Sequence, residues 1–175
     1  MTGKEFINSI ANGKSDIIQL LLDILSKTHS QYCIIGGLAV NAYTEPVVSL
    51  DLDIVVAAEN VKDIGDAAIN SNLRVEKFEH SINLASDESD LRIQLQTDSR
   101  YQKFLSNAQD KEVLGYKMKV ARVEDVLRGK VWAYMDKEQR KSKRQKDLAE
   151  IFRIIEKYPH LKSSLPESIQ QELEK

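Results

Sequence analysis

Apolar positions recur along this chain with two different periods, and the switches between them mark out its elements. Ile17, Leu20, Leu21 and Ile24 fall at i, i+3, i+4 and i+7, which predicts a helix over 16–27 capped by Ser15 or Asp16. The run Tyr32-Cys33-Ile34-Ile35 reads as a short buried strand that stops at Gly36-Gly37. A brief helix is expected over 38–43, with Pro46 ending that unit. A second strand follows over 50–56, then a helix over 61–70 and strand-like segments near 73–78, 82–85 and 91–96. A short helix is expected over 101–108, and a hairpin around Gly115 within 113–120. From Val123 the period is helical to the end, interrupted near Pro159 and Pro166. The pattern predicts an α+β fold: a mixed β-sheet core over 1–121, flanked by helices, and a C-terminal helical extension over 122–175 packed on it.

The second strand carries the first chemical signal. In Leu50-Asp51-Leu52-Asp53-Ile54 the leucines and isoleucine take one face, and Asp51 and Asp53 the other. Two residues along a strand span about 6.6–6.8 Å, so both carboxylates lie side by side. Aspartate is a poor strand former, and two on one face repel. A divalent cation would remove that repulsion, and Mg²⁺ favours one or two carboxylates plus substrate phosphates. A solvated edge strand would show the same spacing. The neighbouring Gly36-Gly37 turn adds weight, because glycine lets a ligand approach backbone N–H groups and a helix N-terminus suits phosphate.

Two late helices add cations. Val123, Val126, Leu127, Val131 and Tyr134 form a stripe on which Lys130 also falls. An inward lysine needs an anionic partner or an exit to solvent. Trp132 lies off that stripe and reads as packing. In the next helix, over 138–157, Leu148, Ile151, Phe152 and Ile155 make the apolar stripe. The run Arg140-Lys141-Ser142-Lys143-Arg144-Gln145-Lys146 is dense in positive charge ahead of it. Arg144 and Lys146 are expected to line an opening above the carboxylates, with Asp147 orienting one of them or Lys130 by an ion pair.

Composition narrows the function. The 175 residues are 42% apolar and carry a formal charge of −2, so any cationic site is local. The single cysteine, Cys33, excludes an internal disulfide framework and a cysteine zinc site. His29, His80 and His160 lack metal-ligand spacing, and there is no Walker loop or Rossmann fingerprint. The N-terminus lacks a signal-peptide core, and the longest apolar stretch is broken by Gln19 and Asp23. A cytoplasmic protein with no membrane partner is expected.

The stretch Ile35-Gly36-Gly37-Leu38-Ala39 through Ser49-Leu50-Asp51-Leu52-Asp53 resembles the signature of the DNA polymerase beta-like nucleotidyltransferase superfamily. Arg144-Gln145-Lys146-Asp147 resembles the basic helix of the AbiEii-type toxin-like members. The resemblance implies a nucleotidyltransferase core in which Gly36, Gly37, Ser49, Arg144, Lys146 and Asp147 bind an NTP. Asp51 and Asp53 would hold Mg²⁺ or Mn²⁺ and, with Lys130, act in catalysis. The acceptor would be RNA, protein or a small molecule, and the role toxin-like, as one half of a toxin–antitoxin pair. Two departures stand out. Related sequences often read Arg-x-Thr-x-Asp-x-Asp, where this chain has Val47 and Ser49. The superfamily's third carboxylate falls at Gln94, and glutamine accepts no proton from a hydroxyl. Either Asp90 supplies the missing ligand, or the protein binds nucleotide or RNA with little turnover. A partner protein using the basic helix as its interface is a third reading.

Overall fold

The computed structural model describes residues 1–175. Seven strands form one mixed sheet: β1 (Tyr32–Ile35), β2 (Asp51–Val56), β3 (Arg74–Lys77), β4 (Ser81–Ser86), β5 (Ser89–Gln96), β6 (Gln109–Val113) and β7 (Tyr116–Val120). Their order is β3-β4-β5-β2-β1-β7-β6. The β2–β5 and β1–β7 pairs are parallel and the rest antiparallel. The helices are α1 (Gly3–Ile10), α2 (Ile17–Lys27), α3 (Gly36–Asn41), α4 (Val61–Asn70), α5 (Val123–Met135), α6 (Lys141–Lys157) and α7 (Glu167–Glu172).

The central strands are apolar on both faces because helices cover both: Cys33, Ile34 and Ile35 of β1 are all buried. The outer strands alternate, with Leu91, Ile93 and Leu95 of β5 buried and the residues between them more open. Charged β3 closes one edge with a single half-buried apolar residue, Val75, which discourages further strand pairing. One apolar cluster runs from Ile7 to Ile169 and includes Val126, Leu127, Leu148 and Ile151. The late helices therefore share the core of the sheet. Burial pushes the Cys33 thiol up to about 12, an unreactive state. No helix is long and apolar enough to cross a membrane.

Several boundaries differ from the sequence pattern for local reasons. Helix α1 is absent from the expected elements, although Ile7, Ile10 and Ala11 fall at i, i+3 and i+4 and Thr2 and Glu5 form a reciprocal capping box at its start. Residues 99–107 wind as a 3₁₀ helix. The first hairpin strand starts at Gln109 because its outward residues are polar. Leu114 and Gly115 both take positive φ, 52° and 82°, the geometry of a two-residue hairpin turn. Pro159 and Pro166 stand where α6 gives way to a 3₁₀ turn and where α7 begins.

Candidate active site

Strand β2 sets the frame. Its alternation buries Leu52 and Ile54 and leaves Asp51 and Asp53 half-buried on the opposite face. Antiparallel pairing puts Asp53 opposite Ile35, the last residue before the glycine turn. Gly36 has φ +71°, and a side chain there would run into the Asp53 carboxylate. A β-carbon on Gly37 would lie 3.1 Å from Glu150 Oε1 and 3.7 Å from Ser49 Oγ. Each glycine thus makes room for a carboxylate, a reason for the pair beyond turn geometry. Buried Ser49 accepts the Asp51 N–H at 3.2 Å and pins the start of the strand.

The carboxylates open onto a cleft of about 550 Å³, within the range of small-molecule sites. On its sheet side, Asp53, Gln94, Asn83 and Glu76 stand in one register row across β2, β5, β4 and β3. All four line the cleft, and Asn83 Oδ1 is buried without a hydrogen-bond partner. In the row beside it, Asp51 Oδ1 receives Arg92 Nε at 2.7 Å. A groove of about 650 Å³ between α2 and the β6–β7 hairpin brings together no carboxylates from one strand.

The opposite wall comes from α5 and α6. Lys143, Lys146, Asp147 and Glu150 recur at i, i+3, i+4 and i+7 and share one helix face. Arg140, Ser142, Lys143 and Lys146 line the cleft at the N-terminal end of α6, where the helix dipole is positive. Deeper in, Lys130 Nζ of α5 donates to Asp147 Oδ1 at 2.9 Å and pairs with Glu150 Oε2. All three residues are buried. Burial pulls the Lys130 ammonium down, but Glu150 and Asp147 outweigh it and hold its pKa above the ordinary value. Glu150 escaped the sequence reading, although its charged spacing from Lys143, Lys146 and Asp147 was the available signal.

Two expected site residues lie elsewhere. Arg144 does not line the opening. It continues the apolar stripe backward, about 100° around the helix from Lys143. Its Nε donates to Tyr134 O at 2.7 Å, and the guanidinium lies 5.2 Å from the Tyr134 ring centroid. Asp90 does not join the carboxylates. It sits four residues before Gln94, about 13 Å along the strand, and accepts Asn12 Nδ2 at 2.6 Å. Trp132 packs 5.7 Å from the Phe104 ring and edge-on to Tyr101.

No protein-family model and no curated protein matches the chain. Solved structures do. ANT(2″)-Ia in complex with adenylyl-2″-tobramycin superposes with a TM-score of 0.62 at 14% identity, covering 90% of this chain and 95% of that one. The lincosamide antibiotic adenylyltransferase LnuA, bound to lincomycin, gives 0.57 at 12% identity over 81% and 98%. An antigenic nucleotidyltransferase-like protein from Paracoccidioides brasiliensis gives 0.54 at 15% identity over 86% and 75%. The fold is that of the nucleotidyltransferases.

Within the nucleotidyltransferase fold, the fit of a divalent cation turns on Asp53. Burial raises its carboxyl above the ordinary range. Lys130, Lys143 and Lys146 pull it back down through space, while Asp51 pushes it further up. No group of three or more histidine, cysteine or carboxylate residues converges as a metal cage. A cation held here would complete its shell with water and phosphate oxygens, the habit of Mg²⁺.

The raised Asp53 pKa has a cost in stability. Between the ordinary 3.8 and its raised folded value, the folded state binds a proton that the unfolded chain has lost. Stability therefore falls as pH rises through that window, and the loss persists above it. Asp53→Asn is expected to raise the metal-free melting temperature at pH 7, with the gain gone below about pH 3.8. Thermal denaturation in EDTA across pH measures this, and an equal or lower melting temperature at pH 7 would contradict it.

Proposed function

We propose that this protein transfers a nucleoside monophosphate from an NTP to a hydroxyl of a small acceptor, using Mg²⁺ or Mn²⁺ held by Asp51 and Asp53. The observation that carries the reading is the cleft itself: two β2 carboxylates set against a glycine turn, facing the cationic end of α6. The bound cation would polarise the α-phosphate and neutralise phosphate charge. Arg140, Lys143 and Lys146 would attract and orient the triphosphate, aided by the α6 N-terminus. Lys130 would hold the floor of the cleft in place, its ammonium fixed by Asp147 and Glu150 rather than free to swing.

The acceptor would lie along the Gln94–Asn83–Glu76 row, where amides and a carboxylate can hydrogen-bond hydroxyls. Its oxygen forms a bond to the α-phosphorus, and the α–β bridging oxygen leaves with the electron pair as pyrophosphate. Gln94 takes no proton, so the hydroxyl proton passes to water in the open cleft. A small acceptor agrees with the cleft volume and with ANT(2″)-Ia and LnuA, solved with adenylyl-2″-tobramycin and lincomycin. Gln94 beside Asp53 favours a second reading, a nucleotide-binding protein with little turnover. The Lys146-Asp147 segment favours an AbiEii-type toxin-like role acting on RNA.

The test offers each α-labelled NTP with Mg²⁺ or Mn²⁺ to small polyols, total RNA and total protein. Label is expected on a small acceptor, and lost in the Asp51→Asn, Asp53→Asn double variant. Equal labelling by both proteins would end the proposal. Metal-dependent NTP binding without product would support the second reading, and labelled RNA the toxin-like one.

A further inference from the structure

We infer that Arg92 is a substrate-binding residue that occupies Asp51 until the cation arrives and then moves to a phosphate of the incoming nucleotide. The inference rests on the proposed nucleotide site. Three observations support it. First, Arg92 Nε lies 2.7 Å from Asp51 Oδ1, so the guanidinium takes one of the two carboxylates a cation would need. Second, the backbone cannot separate them. Asp51 is the β-partner of Arg92, and the Arg92 N–H donates to Leu50 O at 2.8 Å. Only the side chain is free to leave. Third, it leaves easily: the Arg92 side chain is 72% exposed and that of Asp51 is 43% exposed. An exposed pair of this kind has a small net worth, whereas a divalent cation gains a full carboxylate.

The displaced guanidinium lines the same cleft as Lys143 and Lys146, where a triphosphate would lie. The cleft's other carboxylates stand in the neighbouring register row, Asp53 as the cation's second ligand and Glu76 two strands away on β3. A planar fork of donors matches phosphate oxygens. Arg92 thus acts in opposite directions on two ligands. It competes with the bare cation and assists the cation–nucleotide complex.

That opposition is the test. Mn²⁺ binding is measured by electron paramagnetic resonance, and binding of a non-hydrolysable NTP in saturating Mn²⁺ by calorimetry. Wild type is compared with Arg92→Ala, Arg92→Lys and Asp51→Asn. Arg92→Ala is expected to bind Mn²⁺ about 3–10-fold more tightly, from loss of a competing charge. It is expected to bind the analogue about 10-fold more weakly, the worth of one charge-assisted hydrogen bond. Arg92→Lys keeps the charge without the fork, so it should hold Mn²⁺ near wild type and recover only part of the analogue affinity. If Arg92→Ala weakens both ligands or changes neither, while Asp51→Asn abolishes Mn²⁺ binding, the Arg92 proposal falls and the nucleotide site stands. If Mn²⁺ binding ignores Asp51, both fall.

Discussion

Substituting Gln94 with aspartate is expected to raise the rate of nucleotidyl transfer by roughly 10²–10⁴-fold, the range one placed general base contributes. The reasoning is positional. Parallel pairing of β2 with β5 sets Gln94 directly beside Asp53 on the cleft face. Strands in a sheet are about 4.8 Å apart, so a carboxylate there reaches both the cation and an acceptor hydroxyl. The amide of Gln94 offers an oxygen to a cation but no site for a proton. With Gln94, the slow step requires the hydroxyl proton to leave to water, and the rate should climb with pH. With the new carboxylate the profile should level off above that group's pKa. The cost is electrostatic: two like charges on paired strands repel. Gln94→Asp should therefore melt below wild type in EDTA and gain more from added Mg²⁺. A rate unchanged despite that larger Mg²⁺ gain would remove the general-base role from this strand position.

Lys130→Met is expected to lower folding stability by about 3–5 kcal/mol, the cost of leaving a buried ionic partner uncompensated. Total stability of a domain this size is roughly 5–15 kcal/mol, so the variant stands near its folding threshold. The cause is the count of charges. One ammonium serves two buried carboxylates, through Asp147 Oδ1 and Glu150 Oε2, and Asp147 Oδ2 has no hydrogen-bond partner even with it present. Removing the ammonium strands both. The carboxylates hold the Lys130 pKa up, so the folded state keeps its proton where the unfolded chain begins to lose it. Its contribution is complete below the ordinary 10.5 and fades as pH rises through the higher folded value. Urea denaturation at pH 7 gives the number. The triple variant Lys130→Met, Asp147→Asn, Glu150→Gln should recover most of the loss, because replacing all the charges removes the unpaired ones. A triple variant no more stable than Lys130→Met would show that shape, not charge, holds this corner.

Much of this protein was legible in its sequence because local periods report local geometry. The period-2 alternation at Leu50–Ile54 put Asp51 and Asp53 on one face without reference to any other strand, and the 3.6-residue stripe put Lys130 inward. The fold class followed from the same patterns, since a mixed sheet and late helices must cover each other's apolar faces. What tertiary structure alone decided is which charges meet. Arg92 faces Asp51 and Gln94 faces Asp53 only because β2 pairs in parallel with β5, residues some forty positions apart. Glu150 reaches Gly37 only because α6 crosses back over α3. Arg144 turns from the cleft to Tyr134 because its place on α6 faces α5. Sequence spacing fixes directions within an element. The pairing of elements is set by burial of the shared core, and no short stretch of residues contains that information.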